Sequence, residues 1–148
     1  MNSKGYLSTL QDMGIYNQRD YHQQAFARNI GLFTKLEQER LKNARVAIPG
    51  MGGVGGIHLM TMVRTGIGRF NLADFDSFDL VNINRQYGAS VPGFDRPKLE
   101  VMQEQALSVN PFLDLFLFKQ GVNESSLDQF LDGVDVVLDG LDFFQFDI

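Results

Sequence analysis

The feature that most constrains this chain is a run of glycines directly behind a short apolar segment. Residues 45–48 read Arg-Val-Ala-Ile, and residues 49–56 read Pro-Gly-Met-Gly-Gly-Val-Gly-Gly. Glycine lets the backbone turn sharply and approach an anion with no Cβ in the way. The apolar stretch that follows predicts a helix, whose free N–H groups and dipole would face that anion. The pattern therefore predicts a phosphate-binding loop between a buried strand and a helix.

Strand and helix patterns alternate along the rest of the chain. We predict strands at 44–48, 69–74, 113–118 and 134–138, with helices at 54–65, 97–109 and 125–131 between them. The first strand has no polar alternation, as expected of a strand covered on both faces. This order implies right-handed, parallel strand–helix–strand units. The predicted fold class is therefore α/β, with a Rossmann-like, mostly parallel sheet flanked by helices.

The segment before the first strand is more polar. It predicts a helix around 21–29, a break at Gly31, and a second helix over 35–42. Thr34 followed by Glu37 is a capping-box signal for the start of that second helix. We accordingly divide the chain into an N-terminal helical arm, 1–43, and a nucleotide-binding half-domain, 44–148.

Composition excludes several function classes. The net charge of −5 argues against nonspecific nucleic-acid binding, so no nucleic-acid partner is expected. No apolar run approaches the roughly 20 residues that span a bilayer, and the N-terminus lacks the apolar core of a signal peptide. We expect no membrane association and a cytoplasmic location. The lack of cysteine excludes disulfides, thiolate zinc sites and a thioester-forming nucleophile within these residues.

Two interpretations of the glycine loop are open. Gly50, Gly52 and Gly55 fit the dinucleotide fingerprint, and Asp74 lies where a ribose-binding acid is expected. A NAD-dependent oxidoreductase is therefore one hypothesis. Further polar residues follow, however, and a nicotinamide site has no need of them, whereas a triphosphate with a metal does. They are Asp76, Asn82, Arg85, Gln86, Lys98, the pair Asn110-Pro111, and Asp142 after the fourth strand.

Taken together, these motifs resemble the ThiF/MoeB/ubiquitin-activating enzyme family, from about Arg28 to the end of the chain. Members adenylate the C-terminal carboxylate of a ubiquitin-like or sulfur-carrier protein, or of a peptide. The resemblance implies ATP and Mg²⁺ as cofactors, a carrier protein or peptide as partner, and a homodimer. It also implies that about as much sequence again should follow, so we expect the chain to be the truncated N-terminal half of a longer protein.

The resemblance also assigns roles to residues. The loop glycines would hold the phosphates, Asp74 the ribose, and Arg85 and Lys98 the phosphate charge, while Arg28 would reach the partner's ATP across a dimer. The cofactor-binding set is Gly50, Gly52, Gly53, Gly55, Asp74, Asp76, Asn82 and Gln86; the catalytic set is Arg28, Arg85 and Lys98; the metal ligand is Asp142.

Each role has a simpler alternative. Arg28 could be a solvated helical residue, Gln86 could only brace the loop, and Asp142 could cap a helix. Asp76 could contact another site residue rather than the nucleotide. A third hypothesis is a non-catalytic partner subunit of an activating heterodimer, against which the retained Arg85, Lys98 and Asp142 argue.

Overall fold

The computed structural model describes residues 3–141 of the chain. The helices are α1 (Ser3–Asp12), α2 (Gln18–Ala25), α3 (Lys35–Asn43), α4 (Gly55–Thr65), α5 (Lys98–Val109) and α6 (Leu127–Leu131). The strands are β1 (Arg45–Pro49), β2 (Arg69–Ala73), β3 (Asp114–Phe118) and β4 (Val136–Val137). Short 3-10 turns cover Ala27–Asn29, Leu80–Asn82 and Val91–Gly93.

The four strands form one parallel sheet in the order β3-β2-β1-β4. The first strand is central: Val46 pairs with Phe70 of β2 on one side and with Val136 of β4 on the other. Because the chain steps from β1 to β2 and later returns to β4 on the other side of β1, the strand order reverses at β1. The predicted α/β class with a parallel sheet is confirmed.

Side chains alternate between the two faces of the sheet. On one face Ile48, Phe70 and Leu72 pack in the main core with residues of α4 and α5, including Leu59 and Met102. This burial of branched and aromatic side chains between the sheet and helices α4 and α5 is the main force holding the layers together. It also fixes α4 above β1, so that the first turn of α4 faces the carboxyl edge of the sheet.

The other face is covered by α6. Phe130 of this helix is 2% exposed and packs with Ala47 and Ala73. Asn71, 2% exposed, donates from Nδ2 to the carbonyl of Phe130 at 2.7 Å and accepts from Nη1 of Arg45 at 2.9 Å. A buried amide with both its donor and its acceptor satisfied is tolerated in such a core.

The N-terminal arm differs from the sequence prediction in two elements. The first helix, α1, was not predicted. The second begins at Gln18, earlier than expected, because the side chain of Asn17 accepts from the backbone N–H of Asp20 and caps it. The capping box of Thr34 and Glu37 is confirmed at the start of α3.

The arm packs against the end of the sheet opposite the glycine loop. Asn29 and Gln38 donate to the carbonyl of Thr65 at 3.0 and 3.1 Å, and Nε2 of His22 lies 3.0 Å from the carbonyl of Gly66. These contacts satisfy carbonyls left over at the C-terminus of α4. Among the described residues there is no helix with the length and apolar character needed to cross a bilayer.

Candidate nucleotide site

The site is built at the carboxyl edge of the sheet, where β1, β2 and β4 end. The glycine loop follows β1, Asp74 follows β2, and Gly140 follows β4 within three residues of its end. In open α/β sheets ligands bind outside this edge, at the point where the strand order reverses. The observed order places that point at β1, directly under the glycine loop.

Three glycines form a tight junction in this loop. Gly50 has φ of 86°, and a Cβ placed there would lie 2.4 Å from the carbonyl oxygen of Gly140. A Cβ on Gly55 would lie 1.7 Å from the carbonyl oxygen of Gly50, and one on Gly140 would lie 2.7 Å from that same oxygen. Three backbones approach so closely that no side chain fits at any of these positions. The predicted sharp turn therefore has a steric cause.

The two middle glycines serve another purpose. A Cβ on Gly52 would meet its nearest neighbour, Nε2 of Gln86, at 3.6 Å, which is ordinary contact. No described residue accepts a hydrogen bond from the backbone N–H of Gly52 or Gly53, or from that of Val54 before α4. Free N–H groups at the start of a helix are donors suited to phosphate oxygens.

Asp74 is tied to the loop. Its Oδ2 accepts from the backbone N–H of Met51 at 2.6 Å, and its Oδ1 accepts from that of Asp76 at 2.7 Å. An ionised carboxylate offers about four acceptor positions, so about two stay open for ribose hydroxyls. The half-buried Asp74 thus joins the ends of β1 and β2 while keeping acceptor capacity.

Lys98, the first residue of α5, is a buried cation at the same edge. It is 6% exposed, and its Nζ donates to Oδ2 of Asp76 at 3.1 Å. Its backbone N–H donates to the carbonyl of Asp76 at 2.9 Å. Asp76 therefore contacts Lys98 twice, which is the alternative role that the sequence left open for it.

Asn82 and Arg85 lie on the segment after Asp79. Oδ1 of Asn82 accepts from the backbone N–H of Asp79 at 2.9 Å, and the Nδ2 group makes no hydrogen bond with a described residue. Arg85 is exposed; its Nη1 donates to the carbonyl of Val81 at 2.8 Å and to Oδ1 of Asn84 at 3.2 Å. None of the described carboxylates pairs with this guanidinium, so its charge is open to an anion.

Gln86 packs under the glycine loop, and the carbonyl oxygen of Arg85 lies 3.3 Å from the place of a Cβ on Gly53. Oε1 of Gln86 is buried without a hydrogen-bond partner among the described residues. An unsatisfied buried acceptor is uncommon and marks a position where a donor is wanted. The segment 85–86 therefore lines the loop.

One predicted residue, Arg28, is not brought to this edge. Arg28 is exposed in the turn Ala27–Asn29, beside Thr65 at the far end of α4. That helix has 11 residues and is about 16 Å long, so Arg28 cannot reach its own chain's loop. Asp142, the predicted metal ligand, lies outside the described residues, and within 3–141 no cluster of three His, Cys, Asp or Glu side chains is suited to a metal ion.

One structural residue of the site was missed. Gly140, which follows the fourth strand, has no role in the sequence prediction. Its N–H donates to the carbonyl of Pro49 at 3.0 Å, which draws the end of β4 against the glycine loop. A glycine immediately after a predicted strand that neighbours a glycine-rich turn is the signal that could have identified it.

Comparison with known proteins agrees with this geometry. The tRNA threonylcarbamoyladenosine dehydratase of Bacillus subtilis is 36% identical over 118 residues, covering 79% of this chain and 46% of that protein. The sulfur carrier protein ThiS adenylyltransferase of Escherichia coli is 33% identical, covering 71% and 42%. The E. coli tRNA N6-threonylcarbamoyladenosine dehydratase, solved in complex with ATP, superposes with a TM-score of 0.77 at 29% identity, covering 81% and 50%.

The chain thus spans about half the length of the relatives it matches. Residues 26–148 match the ThiF family, from the arm's 3-10 turn through the glycine loop to the last residue. This chain, by sequence and by fold, belongs to the ThiF family.

Proposed function

We propose that the chain is the nucleotide-binding half of an ATP- and Mg²⁺-dependent adenylating enzyme. The observation that carries this proposal is the grouping of unpaired loop N–H groups, Asp74, Arg85 and Lys98 at one sheet edge. In the reaction a carboxylate oxygen attacks the α-phosphorus of ATP, an acyl-adenylate forms, and pyrophosphate leaves. No general base is required, because a carboxylate is already ionised at neutral pH.

Each residue would contact the part of the nucleotide that its charge or hydrogen-bonding group suits. The N–H groups of Gly52 and Gly53 would donate to phosphate oxygens, and Asp74 would accept from the ribose hydroxyls. Arg85 and Lys98 would stabilise the negative charge that builds up on the leaving pyrophosphate. Mg²⁺ prefers oxygen ligands, and Asp142 would supply a carboxylate to it beside the phosphates.

The enzyme would act as a homodimer in which Arg28 serves the partner's site. Three apolar side chains lie at the start of α4 and remain open to solvent: Val54 (55% exposed), Ile57 (50%) and Tyr87 (52%), which lies beside Gly56. An apolar rim of this kind beside a ligand site is typical of a protein interface. Since Arg28 is about one helix length from its own loop, only a second copy can bring it to ATP.

The first candidate substrate is the C-terminal carboxylate of a ubiquitin-like protein, a sulfur-carrier protein or a peptide. A relative described as an adenylyltransferase of the sulfur carrier ThiS supports it. The cytoplasm, where such carriers act, is the proposed location.

A second candidate is the threonyl carboxylate of threonylcarbamoyladenosine in tRNA. Two relatives bear that substrate in their names, at 36% and 32% identity. The charge distribution also favours it: the arm, residues 1–43, holds six Lys and Arg against four Asp and Glu, whereas residues 44–148 hold seven against fourteen. A basic arm on an acidic domain offers one surface for a phosphate backbone despite the negative total.

ATP–pyrophosphate exchange tests the proposal, measured on these residues within their full reading frame and with each candidate substrate in turn. Arg85→Ala and Lys98→Met should each lower exchange by about 10²–10³, as expected when a group that stabilises developing charge is removed. Arg96→Ala is the matched control, since Arg96 pairs with Glu104 at the surface. Exchange at the wild-type rate in both site variants would refute the proposed site.

Mixing variants tests the dimer. Arg28→Ala and Lys98→Met should each be inactive alone, yet an equal mixture should recover about a quarter of the wild-type rate, because half of the dimers are mixed and one of their two sites is intact. No recovery would show that Arg28 does not act across the interface.

A further inference from the structure

We propose that Asp76 is a positioning residue that holds the amino group of Lys98 toward the phosphates, rather than a ligand of the nucleotide. This inference rests on the proposed ATP site. It concerns how the site is prepared before any nucleotide arrives.

The contact is made by a buried cation and a solvent-facing acid. Lys98 has a side chain that is 7% exposed, whereas that of Asp76 is 49% exposed. Their 3.1 Å contact is the only ion pair that Lys98 makes within residues 3–141. A buried ammonium needs an anionic partner to offset the loss of water, and Asp76 supplies it from the site's edge.

The backbone fixes this contact from both sides. Ser77 and Pro97 form an antiparallel bridge, and the N–H of Phe78 donates to the carbonyl of Arg96 at 3.0 Å. The N–H of Lys98 donates to the carbonyl of Asp76 at 2.9 Å. The backbones of the two charged residues are thus held at a set separation. The ion pair can therefore orient Nζ of Lys98 without any movement of the backbone.

Asp76 also connects Lys98 to the rest of the site. Its own N–H donates to Oδ1 of Asp74, whose Oδ2 accepts from the N–H of Met51 in the glycine loop. One continuous set of contacts therefore runs from the loop, through the predicted ribose acid, to the cation. Preorganised charges of this kind need no rearrangement when the ligand binds.

The chemistry of the two groups favours positioning over direct binding. An ammonium carries three N–H donors, and only one is used by Asp76, so two remain for phosphate oxygens. A carboxylate placed directly against a triphosphate would instead repel it, and Oδ2 of Asp76 is already engaged by Lys98.

A double-mutant cycle in ATP affinity tests this assignment, measured by calorimetry on Asp76→Asn, Lys98→Met and the double variant. We expect Asp76→Asn alone to weaken ATP binding by about tenfold, and the double variant to bind within about twofold of Lys98→Met, since contacting residues couple. Glu100→Gln is the matched control: it also removes one carboxylate charge, but from a residue of α5 that pairs with Lys119. Its effect should multiply with that of Lys98→Met.

A second readout separates positioning from a purely structural pair: the shift in melting temperature of the same variants without nucleotide. Coupling in both measurements supports the proposal. Coupling in melting temperature alone, or losses of ATP affinity that multiply in the double variant, overturns it while leaving the ATP site intact. A wild-type protein that fails to bind ATP would instead refute the proposed function, and this inference with it.

Discussion

Replacing Gly55 by alanine should destabilise the chain strongly, although alanine is the better helix former. The new Cβ would lie 1.7 Å from the carbonyl oxygen of Gly50 and 2.8 Å from its carbon. Ordinary contact begins at 3.4 Å, so backbone would have to move by about 1.7 Å. The Gly50 carbonyl cannot retreat freely, because Gly140 packs against the same turn.

The magnitude follows from two opposing terms. Alanine gains about 1 kcal/mol over glycine within a helix, while overpacking of rigid backbone costs about 3 kcal/mol or more. A net loss of about 2–3 kcal/mol corresponds to a melting temperature lower by about 4–12 °C in a chain of this size. Circular dichroism during heating measures it directly.

Gly52→Ala is the matched control in the same loop. Its Cβ would meet nothing closer than 3.6 Å, and its φ is not in the left-handed region. This variant should melt within about 2 °C of the wild type. If Gly55→Ala also melts within that range, the steric account of the glycine junction is wrong.

Three further changes test other parts of the structure. Burial lowers the pKa of His22 below its usual 6.5, so the unfolded chain binds a proton at a higher pH than the folded chain does. The urea midpoint should therefore be highest above about pH 6.5 and fall below that pH, and the fall should be smaller in His22→Gln. Asn71→Ala leaves the carbonyl of Phe130 and Nη1 of Arg45 without their partner and should cost about 2–3 kcal/mol of unfolding free energy, visible as a lower urea midpoint; an unchanged midpoint would contradict the role of this amide. Thr34→Ala removes the cap of α3 and should cost about 1 kcal/mol, whereas an equal stability would argue that the capping box is not needed.

The central strands and the glycine loop were predictable because local sequence determines them. Apolar runs such as that of β1 have no alternative to burial on both faces, and the loop glycines satisfy a steric demand within a few residues. The last strand was predicted at 134–138, but the ladder covers only Val136–Val137. Hydrogen bonds to β1 nevertheless extend beyond these two residues, because the N–H groups of Asp135, Leu138 and Gly140 donate to carbonyls of β1.

The first helix was missed because its stability comes from outside itself. Its sequence is polar and contains Gly5, which is unfavourable within a helix. Leu10, however, packs against the cluster of Ile15, Tyr21 and Phe26, and Phe112 contacts the same cluster from the far side of the chain. A contact between residues about 100 positions apart leaves no periodic signal at either end.

Within the site, residue types were predictable and their pairings were not. The positions of Asp74, Arg85 and Lys98 follow from matching a family pattern, and the structure places them at one edge. That Asp76 pairs with Lys98 depends on a two-residue antiparallel bridge between segments 20 residues apart. The sequence carries no periodic pattern for so short a bridge, so this contact had to be read from the structure.

The central claim is that the glycine loop, Asp74, Arg85 and Lys98 form a site for ATP rather than for NAD⁺. Isothermal titration of the protein with each nucleotide in the presence of Mg²⁺ tests it most directly. We expect saturable heat with ATP that is lost in Lys98→Met, and none with NAD⁺. Saturable binding of NAD⁺ with no binding of ATP would contradict it.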